Sequence, residues 1–333
     1  MSLKKIAQIT GVSPSTVSRV LNNKNHKCAS EEIKDKIWSA ARELGYLPNE
    51  SARNLKKGAS SASAPLKVSV LLSRFDSLET DPFFKEVFRH IETELFEQHC
   101  ILNHVLYARD LMDSSFCDSG STSGLMILGR CPQSLLPKLK SHYRNIVGIG
   151  RNPTEYEIDE IVCDGVMAAR TAMEYLISLG HRKIAYIGDC SSETRFTGYH
   201  ESLISHKIPF HFQNVHPTAQ TEPEGYLVMR SIMEGTDKPT AIFCANDVTA
   251  LGVLRAYHEF PQTEYQPSVI SIDNIEAAQD TTPLLTTINI PKEDMGRLAV
   301  TLLISRIRGK HTENVRLEVP CRLVVRESCY LLR

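Results

Sequence analysis

Apolar positions in the first 58 residues recur at helical spacing, broken by short polar turns. Ile6 and Ile9 open one apolar stripe, and Thr10-Gly11-Val12 makes a tight turn. Ser13 then supplies an N-cap, with Pro14 at the first helical position. The helix that starts there places Val17, Val20 and Leu21 on one face and ends in Asn22-Asn23-Lys24-Asn25. Ser30 caps a third helix, with Glu31 and Glu32 at its positive end. Its buried stripe is Ile33, Ile37, Ala40, Ala41 and Leu44, and Gly45 is placed to close it.

Residues 58–65, GASSASAP, are small and polar and leave little to bury. From Leu66 onward the period changes. Short β-rich runs, VSVLL (68–72), LMILG (125–129), NIVGIG (145–150), KIAYIG (183–188), AIFCA (241–245) and SVISID (268–273), alternate with helical stretches at 82–98, 165–179, 194–206 and 248–259. Continuous apolar strands between helices predict parallel sheets covered on both faces. The expected fold is α/β: an all-α helix-turn-helix head on a two-lobed, doubly wound parallel-sheet body. The expected boundaries are 1–48 for the head, 49–65 for a hinge helix and linker, and 66–333 for the body. In such sheets, ligands bind beyond the carboxyl ends of the strands.

Composition adds an asymmetry. The 333 residues carry a net charge of -1. Residues 1–58 hold eleven Lys/Arg against five Asp/Glu, a charge of +6, which leaves -7 on the remainder. A basic head on an acidic body points to a polyanion partner. The nine cysteines are scattered, and none forms a CxxC pair, so a reduced cytoplasmic protein is expected, without disulfides or zinc. No signal peptide or membrane span is expected. No metal or cofactor is expected either. An enzyme is not expected, because Walker A, GxSxG, HExxH and complete GxGxxG motifs are all missing. Gly148-Ile149-Gly150 lacks the third glycine, and His181 and His200-Glu201 read as surface or capping residues.

The second helix of the head offers Ser15, Thr16, Ser18, Arg19 and Asn22 outward. A helix, a glycine turn and a second helix make the arrangement whose second helix enters the DNA major groove. Short hydroxyls at a helix start can donate to phosphates, and Arg19 can give two hydrogen bonds to guanine O6 and N7. A merely solvated face would favour Glu and Lys instead.

The stretch KKIAQITGVSPSTVSRVLNN, with ARELGYLPNESARNL after it, resembles the head of the lactose-repressor/galactose-repressor (LacI/GalR) family. That resemblance implies that Ser15 and Arg19 read bases, with Pro14 beside them, while Ser13, Thr16, Ser18, Asn22 and His26 mostly meet phosphates. It implies a hinge helix over 49–57 that includes Asn49, with small Ala52 where the two hinges of a dimer approach. Leu55 would be a wedge in the minor groove at the centre of a palindromic double-stranded operator. Ser reads any base poorly, so the operator sequence does not follow.

The resemblance runs to the C-terminus through HRKIAYIG (181–188), AIFCANDVTALGVLRA (241–256), PLLTTINIPKEDMGRLAVTLL (283–303) and VVRESC (324–329), which are also similar to periplasmic sugar-binding proteins. It implies two lobes around a cleft that holds a small sugar effector. Ser73, Arg195, Asn246 and Asp273 carry over as ligand-binding positions, whereas Asp247 reads as a helix cap. Gly150 stands where many members have an Asp. The segment 78–98, with the Arg195 region and PLLTTI, is similar to Gram-positive galactose repressors and evolved-β-galactosidase repressors, which implies galactose or a galactoside. The chain lacks a heptad tail after VVRESC, so a homodimer is expected and a tetramer is not. The ligand would separate the hinge segments and withdraw Leu55. The rival expectation is a sugar-binding protein of the same fold with no role on DNA.

Overall fold

A computed structural model describes residues 3–21, 29–44, 65–73, 80–113, 122–191, 193–260 and 265–332. The head comprises α1 (Leu3–Thr10), α2 (Pro14–Leu21) and α3 (Glu31–Glu43). Gly11 takes φ +70, and the Val12 amide donates to Ala7 O at 3.2 Å, which closes α1 with a left-handed cap. Ile6, Ala7, Val17, Val20, Leu21, Ile37, Ala40 and Ala41 bury one small core, with Ile33 and Leu44 packed against it. Ile9, expected in this stripe, is exposed instead. The buried arc of α1 is centred between Ile6 and Ala7, which puts Ile9 roughly 110° from its middle. Phe96 joins this core from the body, edge-on to Trp38 at 5.7 Å, and Arg89 Nη2 meets Asp35 Oδ2 at 3.2 Å. Both of these head residues lie on α3. The hinge positions Asn49, Ala52 and Leu55, together with Asn22, His26 and Gly45, lie outside the described residues.

The chain divides into two compact units. Unit 1 takes residues 1–150, 154–161 and 292–316; unit 2 takes 151–153, 162–291 and 317–333. The sheet built mostly from unit 1 has strands β1 (Lys67–Leu72), β2 (Ile101–Tyr107), β3 (Gly124–Leu128), β4 (Ile146–Gly150), β5 (Asp159–Val162) and β11 (Arg316–Glu318), in the order β11-β5-β4-β3-β1-β2. β1 pairs in parallel with both β2 and β3, so the strand order reverses at β1 and crossover helices must go to both faces. Leu71, Leu125, Ile127 and Ile146 alternate toward one face and pack with Leu139 of α6 (Leu136–His142). The other face takes α4 (Pro82–Glu97) and α11 (Lys292–Ile307), which pack on each other. Asp81 caps α4 by accepting from the Phe84 amide, and Pro82 follows at the first turn. The short helix α5 (Ala108–Asp113) follows β2 directly.

Unit 2 repeats this plan with β6 (Ile184–Gly188), β7 (Val215–Pro217), β8 (Ala241–Cys244), β9 (Ser268–Asp273), β10 (Thr286–Asn289) and β12 (Arg322–Val324). Their order is β12-β10-β9-β8-β6-β7, parallel except for the β10–β12 pair. The helices are α7 (Gly165–Ser178), α8 (Thr194–Ser205), α9 (Glu222–Glu234) and α10 (Asp247–Glu259). In its core the Tyr186 ring meets Tyr199 at a tilt and Phe243 edge-on. α9 and α10 meet backbone to backbone: a Cβ built on Gly252 would lie 2.0 Å from Glu222 O.

The apolar central strands fall where the pattern of the sequence puts them. The short strands β5, β7, β10, β11 and β12, the more polar β2, and helices α5, α6, α9 and α11 are not among the elements that the sequence pattern predicts. Strands of three or four residues carry too few positions for a period, and α11 is apolar around much of its circumference, which blurs the helical pattern.

Candidate functional site

The first candidate surface is the start of α2. Ser13 Oγ accepts from the Thr16 amide at 3.1 Å and lies 2.8 Å from Thr16 Oγ1 and 2.7 Å from Ser15 Oγ. Three hydroxyls therefore cluster at the positive end of a helix, where unsatisfied amides favour an anion. Ser13, Pro14, Ser15 and Arg19 are exposed, and Thr16 and Ser18 are half-buried, while Val17, Val20 and Leu21 lie inside. The outward set is thus a hydroxyl cluster with a guanidinium one turn further on. A phosphate can accept from the former, and a base edge or phosphate from the latter.

The second candidate site is a buried polar cluster in unit 2. β7, β6, β8 and β9 lie side by side, and their carboxyl ends, with the segments that follow, bring Glu193, Arg195, Gln220, Asn246 and Asp273 to that edge. Glu193 caps α8 with its own carboxylate, accepting from the Arg195 amide. The same carboxylate takes Arg195 Nε at 2.8 Å and Nη2 at 2.6 Å. Arg195 completes its set with Ala245 O through Nη1 and Gln220 Oε1 at 3.0 Å through Nη2. Burial opposes ionisation of Glu193, but the guanidinium outweighs it and holds the carboxyl down to about 2. Burial likewise works against the Arg195 charge, and Glu193 more than offsets it. Asn152 Nδ2 adds a bond to Glu193 Oε1 at 3.3 Å, and Thr194 Oγ1 donates to Asn152 Oδ1.

Asp273 ends β9 with φ +121, in a backbone region that side-chain-bearing residues rarely adopt. Its carboxylate accepts Arg151 Nε at 3.1 Å and Arg151 Nη2 at 3.0 Å, a bidentate pair across 122 positions. Cys163 Sγ donates to Arg151 O at 3.1 Å, and burial beside Asp273 pushes its thiol up to about 12, so it stays protonated. Arg151 thus pairs with Asp273, and Glu193 with Arg195.

The remaining positions have structural partners. Asn246 Oδ1 caps α10, accepting from the Thr249 amide at 2.9 Å and from Thr249 Oγ1 at 2.6 Å, and its Nδ2 reaches Gln220 O at 3.3 Å. The cap expected of Asp247 therefore falls to Asn246, because Asp247 is already the first helical residue. Asp247 turns inward to accept from Ser271 Oγ, Thr287 Oγ1 and the Ile275 amide. Burial, with Asp273 nearby, pushes its carboxyl up to about 7. Ser73, in unit 1, is buried and donates to Leu128 O at 2.6 Å. Gly150, which stands where the family resemblance leads one to expect an Asp, ends β4 without a side chain, and Arg151 follows it. Sequence reasoning missed Arg151, Asn152, Glu193 and Gln220. No local spacing links Arg151 to Asp273, and Glu193 reads as an ordinary helix-start acid.

A cavity of about 480 Å³ elsewhere in unit 2 is lined by Arg182, Lys183, His206, Lys207, His211 and Asp237. Arg182 there holds the Ile177 and His181 carbonyls, Lys183 pairs with Asp237, and His206 pairs with Glu174, so most of its charge is spent on the protein. Among the described residues no group of His, Cys, Asp and Glu is arranged to hold a metal, and no helix is long and apolar enough to cross a membrane.

Comparison with known proteins matches both parts of the chain. Residues 2–49 match the model of bacterial regulatory proteins, lacI family, and residues 173–329 match a periplasmic binding protein-like domain. The chain is similar to a transcriptional repressor PurR of Photorhabdus laumondii, 32% identical over 345 residues that cover 98% of this chain and 96% of that protein. It is similar to the repressor MelR of Bacillus subtilis at 27% identity, covering 98% and 97%. Among solved structures it resembles a transcriptional regulator CelR in complex with cellobiose, with a TM-score of 0.68, 25% identity and coverage of 99% and 100%. The Lac repressor dimer bound to operator and an anti-inducer shares the fold, with a TM-score of 0.67 at 23% identity and coverage of 99% of each chain.

Proposed function

Because this chain belongs to the lacI family of bacterial regulatory proteins, we propose that it is a cytoplasmic transcriptional repressor that binds a palindromic operator as a homodimer and answers to a small sugar. The observation that carries the DNA reading is the start of α2. Ser13, Ser15, Thr16 and Arg19 face outward over a sealed apolar core, at the positive end of a helix that follows a glycine turn. Ser15 and Arg19 read bases, with Pro14 beside them, and Ser13, Thr16 and Ser18 hold phosphates. Asn22, His26, Asn49, Ala52 and Leu55 complete the DNA surface on the family resemblance.

The effector reading rests on the Arg195–Asp273 edge of unit 2, in a chain that is similar to a regulator solved with cellobiose. Arg195 and Asp273 are buried charges at that edge, with Asn246 between β8 and α10; Ser73 is a ligand-binding position on the family resemblance alone. Similarity to Gram-positive galactose repressors makes galactose or a galactoside the effector skeleton. A sugar-binding protein with no DNA role leaves residues 2–49 without a purpose.

Truncation separates the two functions. Deleting residues 1–60 is expected to abolish binding to a palindromic duplex while leaving sugar-induced thermal stabilisation intact. A truncated body that still retards DNA overturns the assignment.

A further inference from the structure

α3 has two working faces. Ile33, Ile37, Ala40, Ala41 and Leu44 line the one that turns into the core of the head. Asp35 and Trp38 stand roughly 170° away, on the opposite side of the helix. That side meets α4. The Trp38 ring takes Phe96 edge-on at 5.7 Å, and Asp35 Oδ2 lies 3.2 Å from Arg89 Nη2 and 3.8 Å from Lys85 Nζ. Lys85, Arg89 and Phe96 follow one another at i, i+4 and i+11, so they share one stripe of α4. Two cations on that stripe face a single carboxylate of the head, and two rings meet further along it. Phe96, in the last turn of α4, is 9% exposed, and the buried residues it packs with belong to the head. The ion pairs, between side chains 24% and 42% exposed, add little by themselves. The aromatic contact carries the docking, and the charges orient it.

α4 in turn is fixed within unit 1. A Cβ built on Gly296 of α11 would lie 3.0 Å from Val87 O, so the two helices meet backbone to backbone. Lys292, at the start of α11, pairs with Glu86 at 3.3 Å. The side of the head proposed to read DNA stays open: Ser13, Pro14, Ser15 and Arg19 are exposed while α3 sits on α4.

We infer that the outer stripe of α4 is a seat for the head. In the DNA-free protein the head is docked on unit 1 through α3, with α2 outward, and turns with the body as one piece. The orientation in which α2 is offered to DNA is then set by α4, and body and head have a second connection besides the chain that joins them. The inference does not depend on which effector the protein answers to.

Trp38 is the sole tryptophan of the chain and lies in the seat, so its fluorescence reads the docking directly. Time-resolved anisotropy of Trp38 in the full-length protein, without DNA, tests the inference. Apart from local motion of the ring, the wild-type decay should follow the tumbling of the whole particle. Phe96→Ala should move most of the amplitude into a faster component, that of a head reorienting on its own. Asp35→Arg should do the same by setting a third cation against Lys85 and Arg89; Asp35 is half-exposed and off the buried stripe of α3, so this variant keeps the test readable if Phe96→Ala folds poorly. Far-ultraviolet circular dichroism checks that the helices remain. A wild-type decay that already holds the fast component overturns the inference, and so does an Asp35→Arg variant with wild-type helicity that keeps the slow decay alone.

Discussion

Glu193→Gln isolates one charge in the buried cluster. The substitution keeps the shape of the side chain and one acceptor oxygen. It removes the negative charge from beside Arg195, which is 2% exposed, and turns an acceptor into an amide N–H that faces a guanidinium donor. Two routes give the size of the effect. The carboxyl is held from 4.5 down to about 2, and at about 1.4 kcal/mol per unit this corresponds to roughly 3 kcal/mol of stability at neutral pH. Breaking a buried pair by removing one partner costs about 3–5 kcal/mol. Urea unfolding of the ligand-free protein at pH 7 should therefore show a loss of about 3 kcal/mol in unit 2. Tyrosine near-ultraviolet circular dichroism follows that unit through Tyr186 and Tyr199, while the single tryptophan, Trp38, reports the head. The pH dependence has a fixed sign. A depressed carboxyl contributes stability that is complete above 4.5 and is lost as pH falls toward 2, so the gap between wild type and variant should narrow over that range. A Glu193→Gln/Arg195→Gln double variant should lose less than the single one. A single variant within about 0.5 kcal/mol of wild type at pH 7, or a gap that stays constant below pH 4.5, refutes the reasoning.

Three further outcomes follow from other parts of the chain. Arg19→Ala should cost roughly 1–3 kcal/mol of operator affinity and relax selectivity at one base position per half-site, read by mobility shift across operator variants; a uniform loss over all sequences would make Arg19 a phosphate contact. Asp247, pushed up to about 7 by burial, gives unfolding free energy a negative slope as pH rises from about 4 to 7, because the folded state holds the extra proton; Asp247→Asn should flatten that slope, by up to about 1.4 kcal/mol per pH unit, in a urea titration at several pH values. Gly252→Ala sets a Cβ 2.0 Å from Glu222 O and 2.7 Å from the Tyr226 amide, so α9 and α10 must part; thermal unfolding should show a loss of about 2–3 kcal/mol.

The sequence carries the head and the central strands because each repeats a strong local signal. Val17, Val20 and Leu21 mark one face of α2, Gly11 marks the turn, and the six apolar runs mark strands buried on both faces. Ile9 defeats that approach, because an apolar residue at the margin of a helical arc can point either way. The candidate effector site was only half legible. Arg195 and Asp273 stand at the start of a helix and the end of a strand, where the family and the α/β fold both lead one to look. Their partners do not. Arg151 reaches Asp273 across 122 positions, and Glu193 becomes the counter-ion of Arg195 only because its carboxylate caps the helix that Arg195 opens. Long-range charge pairing leaves no period in a sequence, and the difference between a free ligand contact and a sealed ion pair is decided by tertiary placement.

Selection of binding sites from random duplex DNA by the full-length protein at moderate salt addresses the central claim most directly. The account requires one twofold-symmetric sequence to be enriched, with retention that weakens or strengthens when the effector is added. Recovery of a pool no different from the input, with or without the candidate sugars, would contradict it.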